Sequence, residues 1–148
     1  SARPPRSPEA QQAQAAQAGI SFNVAFKKKV PPYGKLGRDH MALGTGATRL
    51  DKLAMIRGLP TLNQFVSVDP DMMAELTGLD PEDMELPPLQ WFEPTLGLVA
   101  VRALASVLRT EPTAVPNGVA LLADLEQVEQ ELSAAQERKA QFHFCLLD

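Results

Sequence analysis

The chain has 148 residues, 45% of them hydrophobic and 22% charged, with a net charge of −4 and one cysteine. That length points to one domain able to build a core without a metal or disulfide staple, and a lone cysteine excludes an internal disulfide. No apolar run approaches the roughly 18–20 residues that span a bilayer. The expectation is therefore a soluble, cytoplasmic protein with no membrane partner. The N-terminus also lacks the apolar stretch of a secretory signal, although a chain starting at Ser1 leaves room for a removed leader.

Residues 1–19 are Ala, Gln and Pro with a few charges and no large apolar side chain. Such a stretch cannot offset the entropy of ordering it, so it reads as a disordered tail or linker, with a single domain over 20–148. Ile20, Phe22, Val24 and Phe26 alternate with Ser21, Asn23, Ala25 and Lys27, the period of a half-buried strand. Lys27, Lys28 and Lys29 lead to Pro31 and Pro32, which cannot continue a ladder. The glycines at 34, 37, 44 and 46 then predict a loop over 33–47. Thr48 reads as a helix N-cap supported by Asp51, with Leu50, Leu53, Ala54 and Ile56 as a short apolar face and Gly58 and Pro60 as the stop. Residues 65–68 read as a short third strand.

Asp69-Pro70 is an N-cap followed by a first helical residue, opening a helix that closes near Gly78, and Asp80-Pro81 repeats the start signal. Residues 94–109 form the most apolar stretch, with Leu96, Leu98, Val99, Val101, Leu104, Val107 and Leu108 on more than one face, predicting an enclosed helix. Asn117 reads as the cap of the longest helix, which runs to about Arg138 with a stripe at Val119, Leu122, Leu125, Val128, Leu132 and Ala135. Residues 141–148 close the chain as a strand, Phe142, Phe144 and Leu146 alternating with His143, Cys145 and Leu147. Strands at both ends with helices between them imply an α+β fold. The expected architecture is a small antiparallel sheet of two or three strands, its N- and C-terminal strands paired, with one face packed by three to four helices. His143 would lie on the other, less buried face.

Charge is unevenly spread. Residues 20–68 carry eight Lys or Arg (27, 28, 29, 35, 38, 49, 52, 57) against two Asp, whereas 69–93 carry eight Asp or Glu (69, 71, 75, 80, 82, 83, 85, 93) and no cation. A dipolar surface of this kind steers charged partners or pairs with itself.

Two candidate sites follow. Asp80, Glu82, Asp83 and Glu85, together with Trp91 and Phe92, form a candidate partner-binding site, since an acidic patch steers a basic partner and large aromatics anchor interfaces. The competing interpretation of Trp91-Phe92 is a clamp that holds its loop on the core. Lys35, Arg38, His40, Gly44, Gly46, Thr48 and Arg49 form a candidate anion-binding site, because cations, glycines and a helix start are the ingredients of a phosphate cradle. The glycine spacing matches neither the dinucleotide nor the P-loop motif, and a solvated connecting loop is the plainer interpretation. His143 and Cys145 share a strand face, but zinc wants four ligands and a catalytic thiolate wants a base in a cleft. No metal, cofactor or catalytic residue is expected. Nucleic acid is disfavoured by the acidic balance, the 5% aromatic content and the lack of a binding motif. The reading is a non-enzymatic protein-interaction module, acting on another protein or a second copy through its acidic surface. Small bacterial proteins of the immunity or adaptor type share this general character, though no motif ties the chain to them. The alternative is a small-anion or nucleotide-binding domain built on residues 34–49.

Overall fold

The computed structural model describes residues 20–147; the expected tail at 1–19 lies outside them. The fold is α+β. Strand β1 (Ser21–Val30) is flanked by β2 (Gly34–Leu36) and β3 (Phe142–Leu147) in the order β2-β1-β3. β1 pairs antiparallel with both, so the first and last strands of the domain lie side by side, Phe22 opposite Leu146 and Phe26 opposite Phe142. The alternation in both segments explains the register, because it puts Phe22, Val24, Phe26, Phe142 and Phe144 on one face, where all are buried. The Phe22 and Phe144 rings meet at 4.7 Å.

Three long helices cover that face: α1 (Met41–Arg57), α3 (Pro94–Thr110) and α4 (Gly118–Glu137). α3 lies so close over β3 that a Cβ on Gly97 would run into the Phe142 ring. A short helix, α2 (Pro70–Thr77), stands apart from this layer. Its ends follow from the sequence, since Asp69 accepts a hydrogen bond from Asp71 N, Pro70 is the first helical residue and Gly78 closes it in the left-handed conformation at φ 73°. Asp80 caps a 3-10 turn at Pro81–Asp83 in the same way.

The structure corrects several expectations. β1 runs through the lysines to Val30, and after a turn with a cis Pro31–Pro32 peptide the expected loop begins as β2. The third strand is therefore residues 34–36. Residues 63–65 are instead a 3-10 turn, followed by a single bridge between Val66 and Phe144. α1 starts at Met41 behind His40, so Thr48 sits inside the helix rather than capping it. Gly44 and Gly46 are helical as well. Their lack of a side chain serves close packing, as a Cβ would strike the Ile20 carbonyl at Gly44 and Leu121 at Gly46. Asp51, mid-helix, accepts from Leu62 N at 2.7 Å and Asn63 N at 3.0 Å, and so ties α1 to the following turn.

α3 is not enclosed: Leu96 and Val99 are exposed, and its buried arc uses small residues such as Gly97, Ala100 and Ala105 between Leu98, Val101, Leu104 and Leu108. Asn117 stands at the expected place but makes no side-chain cap; it adopts φ 61°, which asparagine tolerates. Val119 is exposed, and Gly118, Leu121 and Glu131 take buried places on α4 that the expected stripe omitted. The second sheet face is closed too. Ser21, Asn23, His143 and Cys145 are all buried, and Trp91 lies over His143 with ring centroids 4.8 Å apart.

Candidate functional site

The most unusual chemistry inside the domain is a buried pair. His40 stands just before α1, held there because its backbone exchanges two hydrogen bonds of 3.0 Å with Phe22 of β1. Glu131 projects from α4 on the arc of Val128, Leu132 and Ala135. Both side chains are closed to solvent, and His40 Nε2 lies 3.0 Å and 3.1 Å from the two Glu131 oxygens. Arg38 N donates to Oε1 at 3.0 Å, and Gly37 leaves room for the carboxylate, which a Cβ there would touch. The partner of Nε2 makes Nε2–H the donor in the neutral ring, leaving Nδ1 as a buried atom with no partner among the described residues. This pair joins the chain before α1 to α4. Asp124 adds a second link of the same kind, accepting from Leu43 N at 3.0 Å in the first turn of α1.

The fold takes up several of the anion candidates. Lys35, Arg38 and Arg49 are not buried, His40 is wholly buried on a carboxylate, and Gly44, Gly46 and Thr48 lie within a helix where backbone N–H groups serve the helix itself. The Arg38 guanidinium rests 5.9 Å from the Tyr33 ring centre. Cys145 and His143 do not form a reactive couple. Burial pushes the Cys145 thiol up to about 11, so it stays protonated at neutral pH, and the thiol donates to the Asn23 carbonyl. Burial also lowers the His143 pKa, and His143 Nδ1 lies 3.0 Å from Phe144 O. No group of three or more metal-ligating side chains occurs among the described residues, and no described helix is long and apolar enough to cross a membrane.

The partner candidates fall into two kinds. Phe92 is tied to the fold: its backbone exchanges hydrogen bonds of 2.8 and 2.9 Å with Phe142, and its ring meets Phe65 edge-on at 5.3 Å. Trp91, half-buried, lies on His143. Both rings thus hold their loop to the sheet. Asp80, Glu82, Asp83 and Glu85 are exposed. They belong to a longer segment, 66–93, in which none of the described side chains is buried. No carboxylate of 69–93 forms an ion pair with a described cation, whereas the exposed pairs Arg57–Glu111, Arg102–Glu129 and Arg109–Glu126 all lie elsewhere. Where this segment leaves β3 it borders a half-open apolar pocket of about 230 Å³, lined by Val66, Val68, Met72, Met73, Cys145 and Leu146 among others.

Sequence reasoning missed Glu131 and this pocket. Glu131 could have been suspected, because it lies three residues after Val128 and four before Ala135, on the apolar stripe. The pocket has no local signal, since its walls are about 70 residues apart along the chain. Compared with known proteins, the chain matches no family model, no curated protein and no solved structure.

Proposed function

We propose that this protein is a non-enzymatic interaction module whose acidic segment, 69–93, docks on a basic surface of another protein. The observation that carries the reading is the run of carboxylates in 69–93, exposed at Asp80, Glu82, Asp83 and Glu85 and without a cation partner among the described residues. Exposed charges that the fold does not neutralise leave a local negative potential, which accelerates encounter with a positive surface. The exposed Lys27, Lys28 and Lys29 at the far end of β1 make a second copy the other basic surface within reach. A reducing, cytoplasmic setting fits the single, buried, protonated cysteine.

The anion-binding reading has less support, because Gly44 and Gly46, which would cradle a phosphate, are helical and His40 is buried on Glu131. The test is parallel capture from native lysate with the wild-type chain and with the variant Asp80→Asn, Glu82→Gln, Asp83→Asn, Glu85→Gln. The reading expects a basic protein held by the wild type at low salt and lost with the variant. Equal capture by both would reject the acidic segment as the docking surface.

A further inference from the structure

We propose that the pocket beside β3 is the anchor site of that docking surface, and that it takes an apolar side chain flanked by lysine or arginine from an extended segment of the partner. The proposal rests on the interaction reading above and adds the place and chemistry of its central contact.

Three features of the structure meet here. The first is the edge of β3. Antiparallel pairing with β1 turns alternate residues of β3 outward, and the first two outward positions are occupied: Phe142 exchanges hydrogen bonds with Phe92, and Phe144 O accepts from Ser67 N at 3.0 Å. After Ser67 the neighbouring segment leaves the sheet, as Asp69-Pro70 start α2. Leu146 is the next outward position; no described backbone group outside β1 pairs with it, and it is 53% exposed. An open edge position of this kind can accept main-chain hydrogen bonds from an extended peptide.

The second feature is the space opened by that divergence. The pocket of about 230 Å³ lies between residues 66–73 and the end of β3. Its polar side chains are engaged within the protein: Ser67 Oγ accepts from Gln90 N, Cys145 Sγ donates to Asn23 O, and Asp69 accepts from Asp71 N. The remaining wall is Val66, Val68, Met72, Met73, Leu146 and Leu147, so the wall favours a hydrocarbon. An apolar cavity of roughly 150 Å³ accepts a benzene ring, so this one has room for a leucine or phenylalanine side chain. Methionine side chains adapt to either shape.

The third feature is charge. Asp69 lines the pocket, and Asp71 and Glu75 are exposed on the same short helix. The Asp69 charge adds to the burial that raises the Cys145 thiol, so its field reaches the pocket floor. With no Lys or Arg anywhere from 69 to 93, an apolar anchor with cations beside it matches both the wall and the rim.

The probe is an acetylated and amidated five-residue peptide, Lys-Leu-Lys-Leu-Lys, titrated into the full chain carrying ¹³C-methyl methionine. The five methionines include Met41 and Met55, which lie on α1 and serve as internal references. The expected result is saturating shifts of the Met72 and Met73 methyls with a Kd of about 1 mM or tighter. Met41 and Met55 should stay unmoved. Alanine in place of leucine, or glutamate in place of lysine, should each weaken binding at least about tenfold. Leu146→Arg, at an exposed position, should do the same while leaving the melting temperature unchanged. No shift at several millimolar peptide, or equal shifts with the alanine peptide, would overturn the anchor site. The interaction reading fails separately. A lysate partner lost with the four-carboxylate variant but indifferent to Leu146→Arg would overturn the pocket and leave the acidic surface standing.

Discussion

The two halves of this molecule solve different problems. Around β1, every side chain from Ser21 to Phe26 is buried on one face or the other, and the interior polar groups other than His40 Nδ1 are paired, Glu131 with His40 Nε2 and Arg38 N, and Asn23 with the loop at 37–39. From 66 to 93 no described side chain is buried, the helices are short, and the carboxylates meet water. The first half holds the fully buried core, and the second joins it through Val66, Trp91 and Phe92. Binding surfaces are drawn from regions the core does not need, because ordering them contributes few buried contacts.

The largest expected effect strikes the first half. Phe144→Ala removes a ring that packs on Phe22, Phe65 and Phe142 at once, and should cost about 3–5 kcal/mol in chemical denaturation. Glu131→Ala should cost about 1–3 kcal/mol, since it strands the buried His40 Nε2–H and removes the acceptor of Arg38 N. The double variant His40→Leu/Glu131→Leu sharpens the point. With both polar partners gone it should be more stable than Glu131→Ala alone, and a strictly additive loss would show that the two do not act as a pair.

The pH response is smaller and has two limbs. Burial lowers the His143 pKa below its ordinary 6.5, so the folded state binds that proton less well than the unfolded state. Stability from this source is present above pH 6.5 and is lost as pH falls below it. Cys145 has the opposite sign. Its pKa rises from 9.0 to about 11, so its contribution is complete below pH 9 and fades as pH climbs toward 11. The gap in denaturation midpoint between the wild type and Cys145→Ala should stay constant up to about pH 9 and narrow as pH climbs toward 11, and a gap unchanged across that range would contradict the burial argument. The smallest effect belongs to the second half. Neutralising Asp80, Glu82, Asp83 and Glu85 should change stability by no more than about 0.5 kcal/mol, the usual range for surface substitutions.

Local signals made one set of features legible. The alternation around Phe22 and Phe144 foretold two strands, and the dipeptides Asp69-Pro70 and Asp80-Pro81 foretold two helix starts, each bonded as the capping chemistry requires. What failed depended on distant partners. Gly44 and Gly46 look like loop residues until Ile20 and Leu121 arrive against them, and a half-buried strand looks the same as one whose second face is closed by Trp91. The His40–Glu131 pair joins positions 91 apart in sequence, so neither residue declares the other. The exposed carboxylates stand where their sequence suggested, but exposure is all that a local pattern can foretell about them.

The most direct test of the division between a folding half and a binding half is the association rate of the captured partner with the wild-type chain and the four-carboxylate variant, measured by surface plasmon resonance at 50 and 500 mM salt. The account predicts an on-rate that falls with salt, as the Debye length shortens from about 14 Å to about 4 Å, and falls again with the variant, at an unchanged melting temperature. An on-rate indifferent to both would mean that the acidic segment is only a solvated surface.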